Sequence, residues 1–295
     1  MSEGMAGLSR QLASAAELQA VVRAMKAVAA SNIGQYDKAM LTLDDYYRAV
    51  ELGLGARIRE SDAAQRPAPD ADRAGAGPVG AVIIGSDQGL VGQFNDALAD
   101  HALTALAALP GPARLWVVGE RVYARLSDAG LTNMTLFPVP ASVKAITPLI
   151  GQIQVATEQY LARAGRGQIH VFHNQPRPRA GYLPSGWRLL PLDAQWRARL
   201  ARVRWPGKNL PEVLGDGATW DALVREYLFI SLFRACAAAL ASENAARLVA
   251  MERADRNIDE MLESLHGAYH RLRQGSIDEE LFDVIAGYES MAKQG

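Results

Sequence analysis

The chain of 295 residues carries 31 Lys and Arg against 32 Asp and Glu, which gives a formal net charge of −1. This balance provides no general attraction for nucleic acid or for an anionic membrane surface. Hydrophobic residues make up 49% of the chain, as in a globular protein with a sizeable core. Cys236 is the only cysteine, so an internal disulfide is excluded. No apolar run reaches the roughly 18 charge-free residues of a membrane span, and we expect no direct membrane insertion.

The first predicted element is a long helix over about residues 8–54. Its apolar and small residues recur at steps of three or four, with a mean of roughly 3.5 residues. That period is close to a heptad repeat and favours a left-handed coiled coil. We therefore expect an N-terminal coiled-coil helix at residues 1–56, followed by a linker rich in Pro, Gly and Ala at residues 57–78.

Residues 79–205 alternate strand and helix signals. The predicted strands are residues 79–85, 114–119, 134–139, 168–173 and 187–192. The predicted helices are residues 94–109, 120–129 and 147–164, the last with Pro148 in its first turn. This alternation predicts a Rossmann-like domain, an open and largely parallel α/β sheet.

The last segment, residues 206–295, again shows heptad-like spacing, interrupted once at Asn244. We expect one helix over about residues 219–274 and a separate final helix over about residues 277–291, with Ser276 as its N-cap. The two long helical segments each need a partner for their apolar stripe. They are therefore expected to form an antiparallel coiled coil with each other.

Four segments resemble the gamma subunit of F-type ATP synthases. Residues 23–31 (RAMKAVAAS) resemble the family's KAMKMVAAS, and residues 86–95 (SDQGLVGQFN) are similar to SDRGLCGGxN. Residues 240–251 (LASENAARLVAM) resemble LASEHAARMVAM, and residues 273–281 (RQGSIDEEL) resemble RQAxITxEL. The motifs follow the family's order over nearly the whole chain. Residues 8–16 (LSRQLASAA) replace a basic cluster, which favours a divergent bacterial member, for instance of an alternative ion-translocating ATPase.

The resemblance implies a central rotor subunit that is not itself an enzyme. Such a subunit stands inside a hexamer of alpha and beta subunits, and it rests with an epsilon subunit on the membrane c ring. It couples ion flow through the membrane sector to ATP synthesis or hydrolysis at the hexamer. The resemblance also implies a peripheral location on the cytoplasmic face of the inner membrane, and residues 1–10 lack the apolar core of a signal peptide.

Seven residues match the family's contact positions with the hexamer. They are Met25, Lys26, Arg247, Gln274, Leu281, Phe282 and Ile285. The first two match positions that face the acidic lever loop of beta. The next two match positions near loops of the catalytic domains, and the last three match an apolar tip held in a sleeve of the hexamer.

The turn at residues 85–92 follows a strand and opens a helix, where anion sites are common. Its glycines lack the G-x-G-x-x-G spacing and no P-loop lysine is present, so we interpret it as a tight turn. His266 and His270 lie four apart without an evident third metal ligand. We expect no catalytic residue, cofactor or metal. The alternative is a Rossmann-like nucleotide-binding enzyme with a helical dimerisation arm.

Overall fold

The computed structural model describes residues 2–63, 77–164, 167–177, 181–192, 194–209 and 217–292. Its elements in chain order are α1 (Ser2–Ala63), β1 (Val79–Ile84), α2 (Phe94–Ala107), β2 (Ala113–Val118), α3 (Glu120–Asp128), β3 (Met134–Phe137), α4 (Val143–Ala164), β4 (Gln168–Pro176), β5 (Tyr182–Leu190), α5 (Ala194–Ala201) and α6 (Gly217–Ala292). Of the predicted linker, residues 57–63 continue α1, and residues 64–76 lie outside the described part.

The chain forms two compact units, and the long helices α1 and α6 contribute to both. The first unit consists of Met1–Ala29 and Leu248–Gly295. Within it Arg23 Nε lies 3.1 Å from Asp255 Oδ1. Nearer the start of α1, Gly4 lies beside Leu272, because a Cβ added to this glycine would be 3.2 Å from Leu272 Cδ2. Earlier residues of α1 thus contact later residues of α6, so the two helices are antiparallel. The expected antiparallel coiled coil is therefore confirmed in this unit.

The second unit, Ala30–Arg247, contains the α/β sheet and the remaining parts of α1 and α6. Here Asn32 Nδ2 donates to Asn244 Oδ1 at 3.3 Å, and Asn244 Nδ2 donates to the Leu240 carbonyl at 2.8 Å. The position that interrupts the predicted apolar seam is thus filled by a hydrogen-bonded pair of amides. Paired amides of this kind favour one helix register over its neighbours.

The sheet has the strand order β3-β2-β1-β4-β5. Strand β1 pairs in parallel with β2 and β4, and β2 pairs in parallel with β3. Strand β5 alone is antiparallel, against β4. All six residues of β1 are buried, as expected for a continuous apolar run in the middle of a parallel sheet. The predicted open and largely parallel sheet is confirmed.

Each face of the sheet is covered by helices. Helices α2 and α3 cover one face, in a core that includes Ala81, Ile83, Leu98, Ala102, Leu115, Val117, Val122, Leu126 and Phe172. Helices α4 and α6 cover the other face, in a core that includes Val82, Ile84, Val118, Ile146, Ile150, Val171, Leu232, Cys236 and Leu240. Part of the long helix α6 is therefore a layer of the sheet domain itself, and Cys236 is buried in this packing.

The prediction of a separate final helix with Ser276 as its N-cap is wrong. Helix α6 continues without a break through Gly275 and Ser276. A single glycine costs a helix only about 1 kcal/mol relative to alanine, and no proline follows to stop it. Helix propagation across this point is therefore less costly than ending one helix and nucleating another.

Helix α4 begins at Val143, four residues before the predicted start. Pro148 consequently lies inside the helix and not in its first turn. The helix tolerates it at the cost of one backbone hydrogen bond to the carbonyl of Lys144. Apolar packing of Ile146, Leu149 and Ile150 against the sheet offsets that loss.

Helix α5 was not expected from the sequence because it is short and rich in arginine. It is held to the long helices by Leu200, which is fully buried beside Leu54 of α1 and Tyr227 of α6. Arg59 Nη1 also donates to the carbonyl of Val203 at 2.5 Å. Tertiary contacts, and not local propensity, therefore fix this segment.

Leu54 and Leu41 offer a matched test of this core, because both belong to α1 but Leu54 is fully buried and Leu41 is 70% exposed. Leu54→Ala should lower the free energy of unfolding by about 2–5 kcal/mol, since it leaves a cavity. Leu41→Ala should change it by no more than about 0.5 kcal/mol. Urea unfolding of the isolated chain measures both, and equal losses would contradict the packing described for α1.

Candidate functional site

The carboxyl ends of the parallel strands β1, β2, β3 and β4 lie at one edge of the sheet. Strands β2 and β3 lie on one side of β1, whereas β4 and β5 lie on the other. The strand order therefore reverses between β1 and β4. In open α/β sheets this reversal opens a crevice where ligands bind. A nucleotide-binding role for this domain would be expected at that crevice.

In this protein, helix α6 fills the crevice. Ser242 Oγ donates to the carbonyl of Asn174 at 3.0 Å, and Asn174 Nδ2 donates to the carbonyl of Phe94 at 3.0 Å. Both polar side chains are fully buried. One turn further along α6, Ala246 packs against Phe94 and Val91. The place of a ligand is thus taken by the chain's own helix, which ties β4, the β1–α2 turn and α6 together.

The β1–α2 turn is held by its own side chains. Ser86 donates its N–H to Asn95 Oδ1 at 3.0 Å, and Asn95 Nδ2 donates to Ser86 Oγ at 2.8 Å. Gly92 has φ +63°, which confirms the interpretation of this segment as a tight turn that uses glycine. Leu90 in the same turn also has a positive φ, of 62°, and its side chain is exposed.

Asp87 links this turn to the two neighbouring loops. Its Oδ1 accepts from the N–H of Glu120 at 2.9 Å, and its Oδ2 accepts from the N–H of Val139 at 2.9 Å. Glu120 is the first residue of α3, and the first amides of a helix are the groups that would otherwise receive a phosphate. The carboxylate of Asp87 therefore caps the N-terminus of α3 and holds the β1–α2 turn to both neighbouring loops.

A buried ion pair lies on the part of α6 that fills the crevice. Arg247 Nη2 donates to Glu243 Oε1 at 2.6 Å, and the two side chains are only 11% and 7% exposed. Burial raises the pKa of Glu243; the bond and charge of Arg247 oppose that rise, and the carboxylate of Asp87 adds to it. The pair is an internal contact of the joint, that is, of the contacts of α6 with β4 and the β1–α2 turn.

His170 and His173 lie three residues apart on β4, so their side chains point to opposite faces of the sheet. His173 is buried, with its ring perpendicular to that of Trp187 at a centroid distance of 5.2 Å. Its Nδ1 lies 2.9 Å from the carbonyl of Asn174. Burial lowers the pKa of His173 to about 4. His170 instead stacks on Phe172, so the two imidazoles share no ligand.

The seven predicted contact residues are spread over both units. In the first unit, Lys26 Nζ lies 3.6 Å from Asp255 Oδ2, Met25 is half-buried and Gln274 is exposed. The apolar tip residues are exposed and form a stripe near the end of α6; they are Leu281, Phe282 and Ile285. Arg247 belongs to the second unit, where it is mostly buried.

Sequence reasoning missed Asp87, Asn174 and Glu243 as the polar groups of the joint. For Asp87 a signal existed, because it lies three residues after the end of the central strand and Gly119 leaves α3 without a side-chain N-cap. For Asn174 no local signal existed, since its partner lies 80 residues away in the chain. The spacing of Glu243 and Arg247, four residues apart on a helix, was a local signal for their ion pair, but only the packing of α6 buries it.

Among the described residues, no group of three or more His, Cys, Asp or Glu side chains is placed to hold a metal ion. The rings of His266 and His270 stack with centroids 6.4 Å apart. The part of the chain that the structure describes also contains no helix that combines the length and apolarity of a membrane span.

Asp87→Asn should remove one of the two backbone hydrogen bonds, because an amide presents one oxygen where the carboxylate presents two. We expect the free energy of unfolding to fall by about 1–3 kcal/mol. Asp128→Asn, at the exposed end of α3, is the matched control and should change it by no more than about 0.5 kcal/mol. Urea unfolding distinguishes the two, and equal stability of both variants would show that Asp87 does not hold the loops.

His173 predicts a pH dependence of stability. The unfolded chain binds the His173 proton near pH 6.5 but the folded chain only near pH 4. Stability is therefore complete above about pH 6.5 and is lost as the pH falls toward 4, by roughly 3 kcal/mol. In His173→Gln this loss should be absent from urea unfolding curves recorded between pH 7 and pH 4. The exposed His266→Gln should retain it; an unchanged pH profile in His173→Gln would contradict the assignment.

The comparisons with known proteins agree with this architecture. The rotor of the Euglena gracilis mitochondrial ATP synthase in rotational state 1 has 15% identity and a TM-score of 0.60, over 94% of this chain and 100% of its own. A chain of the same enzyme's OSCP/F1/c-ring structure in rotational state 3 has 15% identity and a TM-score of 0.64, over 99% and 95%. A chain of the Tetrahymena thermophila central stalk and c-ring structure has 19% identity and a TM-score of 0.53, over 79% and 99%.

At these identities the solved structures establish the fold. Family membership comes from the sequence, because a family model described as ATP synthase matches residues 4–291. That match covers α1, the sheet domain and nearly all of α6. The chain therefore belongs to the gamma-subunit family of ATP synthases, whose members form the non-catalytic central stalk.

Proposed function

We propose that this chain is the rotor shaft that couples ion flow through a membrane sector to ATP synthesis or hydrolysis at a hexamer of alpha and beta subunits. The observation that carries the proposal is the filled crevice. Helix α6 occupies the ligand position of the sheet through Ser242 and Ala246. The domain is therefore attached to a long helix at the place where an open α/β sheet would bind a ligand.

The similar solved structures suggest the partners. One of them contains OSCP, F1 and the c ring, and another contains the central stalk with the c ring. We propose the alpha-beta hexamer, an epsilon subunit and the c ring as partners of this chain. The F1 part of an ATP synthase is peripheral to the membrane. The proposed location is the cytoplasmic face of the inner membrane.

The proposed contact residues differ in character. Lys26 is 38% exposed and its ion pair with Asp255 is long, at 3.6 Å, so its ammonium group can exchange partners. Met25 lies beside it, and Arg247 and Gln274 complete the polar contacts. The tip is apolar, and its Phe282 is 69% exposed. A surface of this kind fits a covered position inside a partner assembly.

We also propose that the segments of the chain have different roles. Residues 1–56 and 206–295 supply the coiled coil and the apolar tip, residues 79–205 supply the Rossmann-like domain, and residues 57–78 connect them. Since α1 continues to Ala63, the helical part extends past the boundary that the sequence suggested.

The alternative, a nucleotide-binding enzyme with a dimerisation arm, is not favoured. Helix α6 takes the position that a ligand would need at the crevice. We expect no binding of ATP or NAD by the isolated chain in calorimetry at micromolar ligand concentrations. Micromolar affinity that is lost when Gly89 is changed would favour the alternative.

A reversible crosslink tests rotation. Lys26→Cys, paired with a cysteine in the acidic lever loop of beta, should form a disulfide under oxidation and stop multi-site ATP hydrolysis by the complex. The reason is that a covalent bond cannot exchange between successive beta subunits, whereas exposed polar contacts of about 1 kcal/mol or less can. Reductant should restore hydrolysis.

The native thiol does not interfere, because Cys236 is fully buried and burial raises its pKa to about 12. Lys38→Cys, twelve residues further along the same helix, is the control that should give no crosslink and no inhibition. If the disulfide at residue 26 forms completely and hydrolysis continues at the uncrosslinked rate, rotation of this chain against beta is not the mechanism.

A further inference from the structure

The ion pair of Glu243 and Arg247 stands apart from the other ion pairs of the described residues. Both of its side chains are buried, at 7% and 11% exposure. In each of the other pairs recorded for the described part of the chain, at least one partner is 38% exposed or more. Burying two charges is costly, and apolar residues of the same size usually stabilise a fold at least as well. The pair therefore calls for an explanation other than stability.

Glu243 meets groups from three elements. Tyr36 of α1 and Cys236 of α6 lie close enough for the carboxylate to raise their pKa values, although burial is the larger cause for both. Asp87 approaches from the β1–α2 turn and adds negative charge. The cation that faces Glu243 is Arg247, one helical turn away. The carboxylate thus has a fixed position in the joint, and within the described ranges of the chain Arg247 is the cation paired with it.

Arg247 is held through one terminal nitrogen. Its Nη2 donates to Glu243, whereas its Nε is buried and has no hydrogen-bond partner among the described residues. The guanidinium is planar and carries five N–H donors in a fixed arrangement. Because the group is rigid, fixing one nitrogen limits where the remaining donors can lie. Since the side chain is 11% exposed and its Nε is buried, a partner can bind this group only through its terminal nitrogens.

We propose that Glu243 is the positioning residue of the rotor–stator contact at Arg247: it orients the guanidinium so that its free edge meets a carboxylate or backbone carbonyl of the hexamer. The inference rests on the proposed function, which places Arg247 at that interface. Glu243 touches no substrate and acts only through Arg247. The same length of helix carries Ser242 and Ala246 against the sheet, so the joint and the contact share one rigid support.

The test uses the complete ATPase complex assembled with variants of this chain, and steady-state ATP hydrolysis as the readout. Arg247→Ala should lower the rate about tenfold, the size of one charge-assisted hydrogen bond. Glu243→Leu fills the same space without an acceptor and should lower the rate by a similar factor. The double variant should be no slower than either single variant, since both remove the same contact. Glu243→Gln keeps an acceptor oxygen and should restore most of the rate.

Two measurements separate orientation from stability. Thermal unfolding of each complex controls for loss of structure, and Glu243→Asp retains the charge but withdraws it from Arg247. If Glu243→Leu fails to assemble, a reduced rate in an assembled Glu243→Asp complex supports the proposal. Losses from Glu243→Leu and Arg247→Ala that multiply in the double variant would overturn it, as would an unchanged rate in both Glu243→Leu and Glu243→Asp. An unchanged rate in Arg247→Ala, while the Lys26→Cys crosslink still stops hydrolysis, would overturn this inference and leave the rotor function standing.

Discussion

The packing of helix α6 against the sheet is the contact on which the second unit depends. Ile230, Leu232, Cys236 and Leu240 of this helix are almost fully excluded from solvent. Three of them belong to the same core as the apolar residues of β1 and β2. Without α6, that face of the sheet would lose a layer, and the apolar stripe of the helix would be exposed. The domain and the helix therefore stabilise each other.

Polar groups fix the register in which α6 packs against its neighbours. Apolar surfaces alone tolerate sliding by one turn, because every register buries a similar area. A hydrogen bond from Ser242 to Asn174, and another between Asn32 and Asn244, are satisfied in one register only. An unsatisfied amide in a buried position would cost about 1–3 kcal/mol, so these contacts select the arrangement more than they stabilise it. Such selection suits a part that must transmit force without slipping.

The fold could be predicted from the sequence where the signal was local. The continuous apolar run at β1 predicts a buried strand, and the heptad-like spacing of α1 and α6 predicts long helices. Both predictions are confirmed. The two features of the fold that the sequence analysis did not predict share a cause. Helix α5 and the unbroken passage of α6 through Gly275 depend on partners elsewhere in the chain and on the cost of ending a helix. Neither is visible in a window of ten residues.

The candidate site divides in the same way. The tight turn at residues 86–95 could be predicted from its glycines, but the role of Asp87 depends on two backbone amides, 33 and 52 residues further on. The motif that carried the family resemblance thus has a structural reason, since Ser86 and Asn95 bind each other and Asp87 binds the neighbouring loops. The sequence shows that these residue types occur together in the motif, whereas the fold shows which backbone and side-chain groups they bind.

The described ion pairs are of two kinds, exposed and buried, and this contrast bears on the function. In the first unit, Asp255 pairs with Arg23 and Lys26 of the other helix, and both cations are more than a third exposed. Exposed pairs of this kind contribute at most about 1 kcal/mol and re-form readily with other partners. In the second unit, Glu243 and Arg247 are buried and held. A shaft that turns inside a ring needs contacts of the first kind on its surface and of the second kind within it, because the outer contacts must break at each step while the inner ones must not.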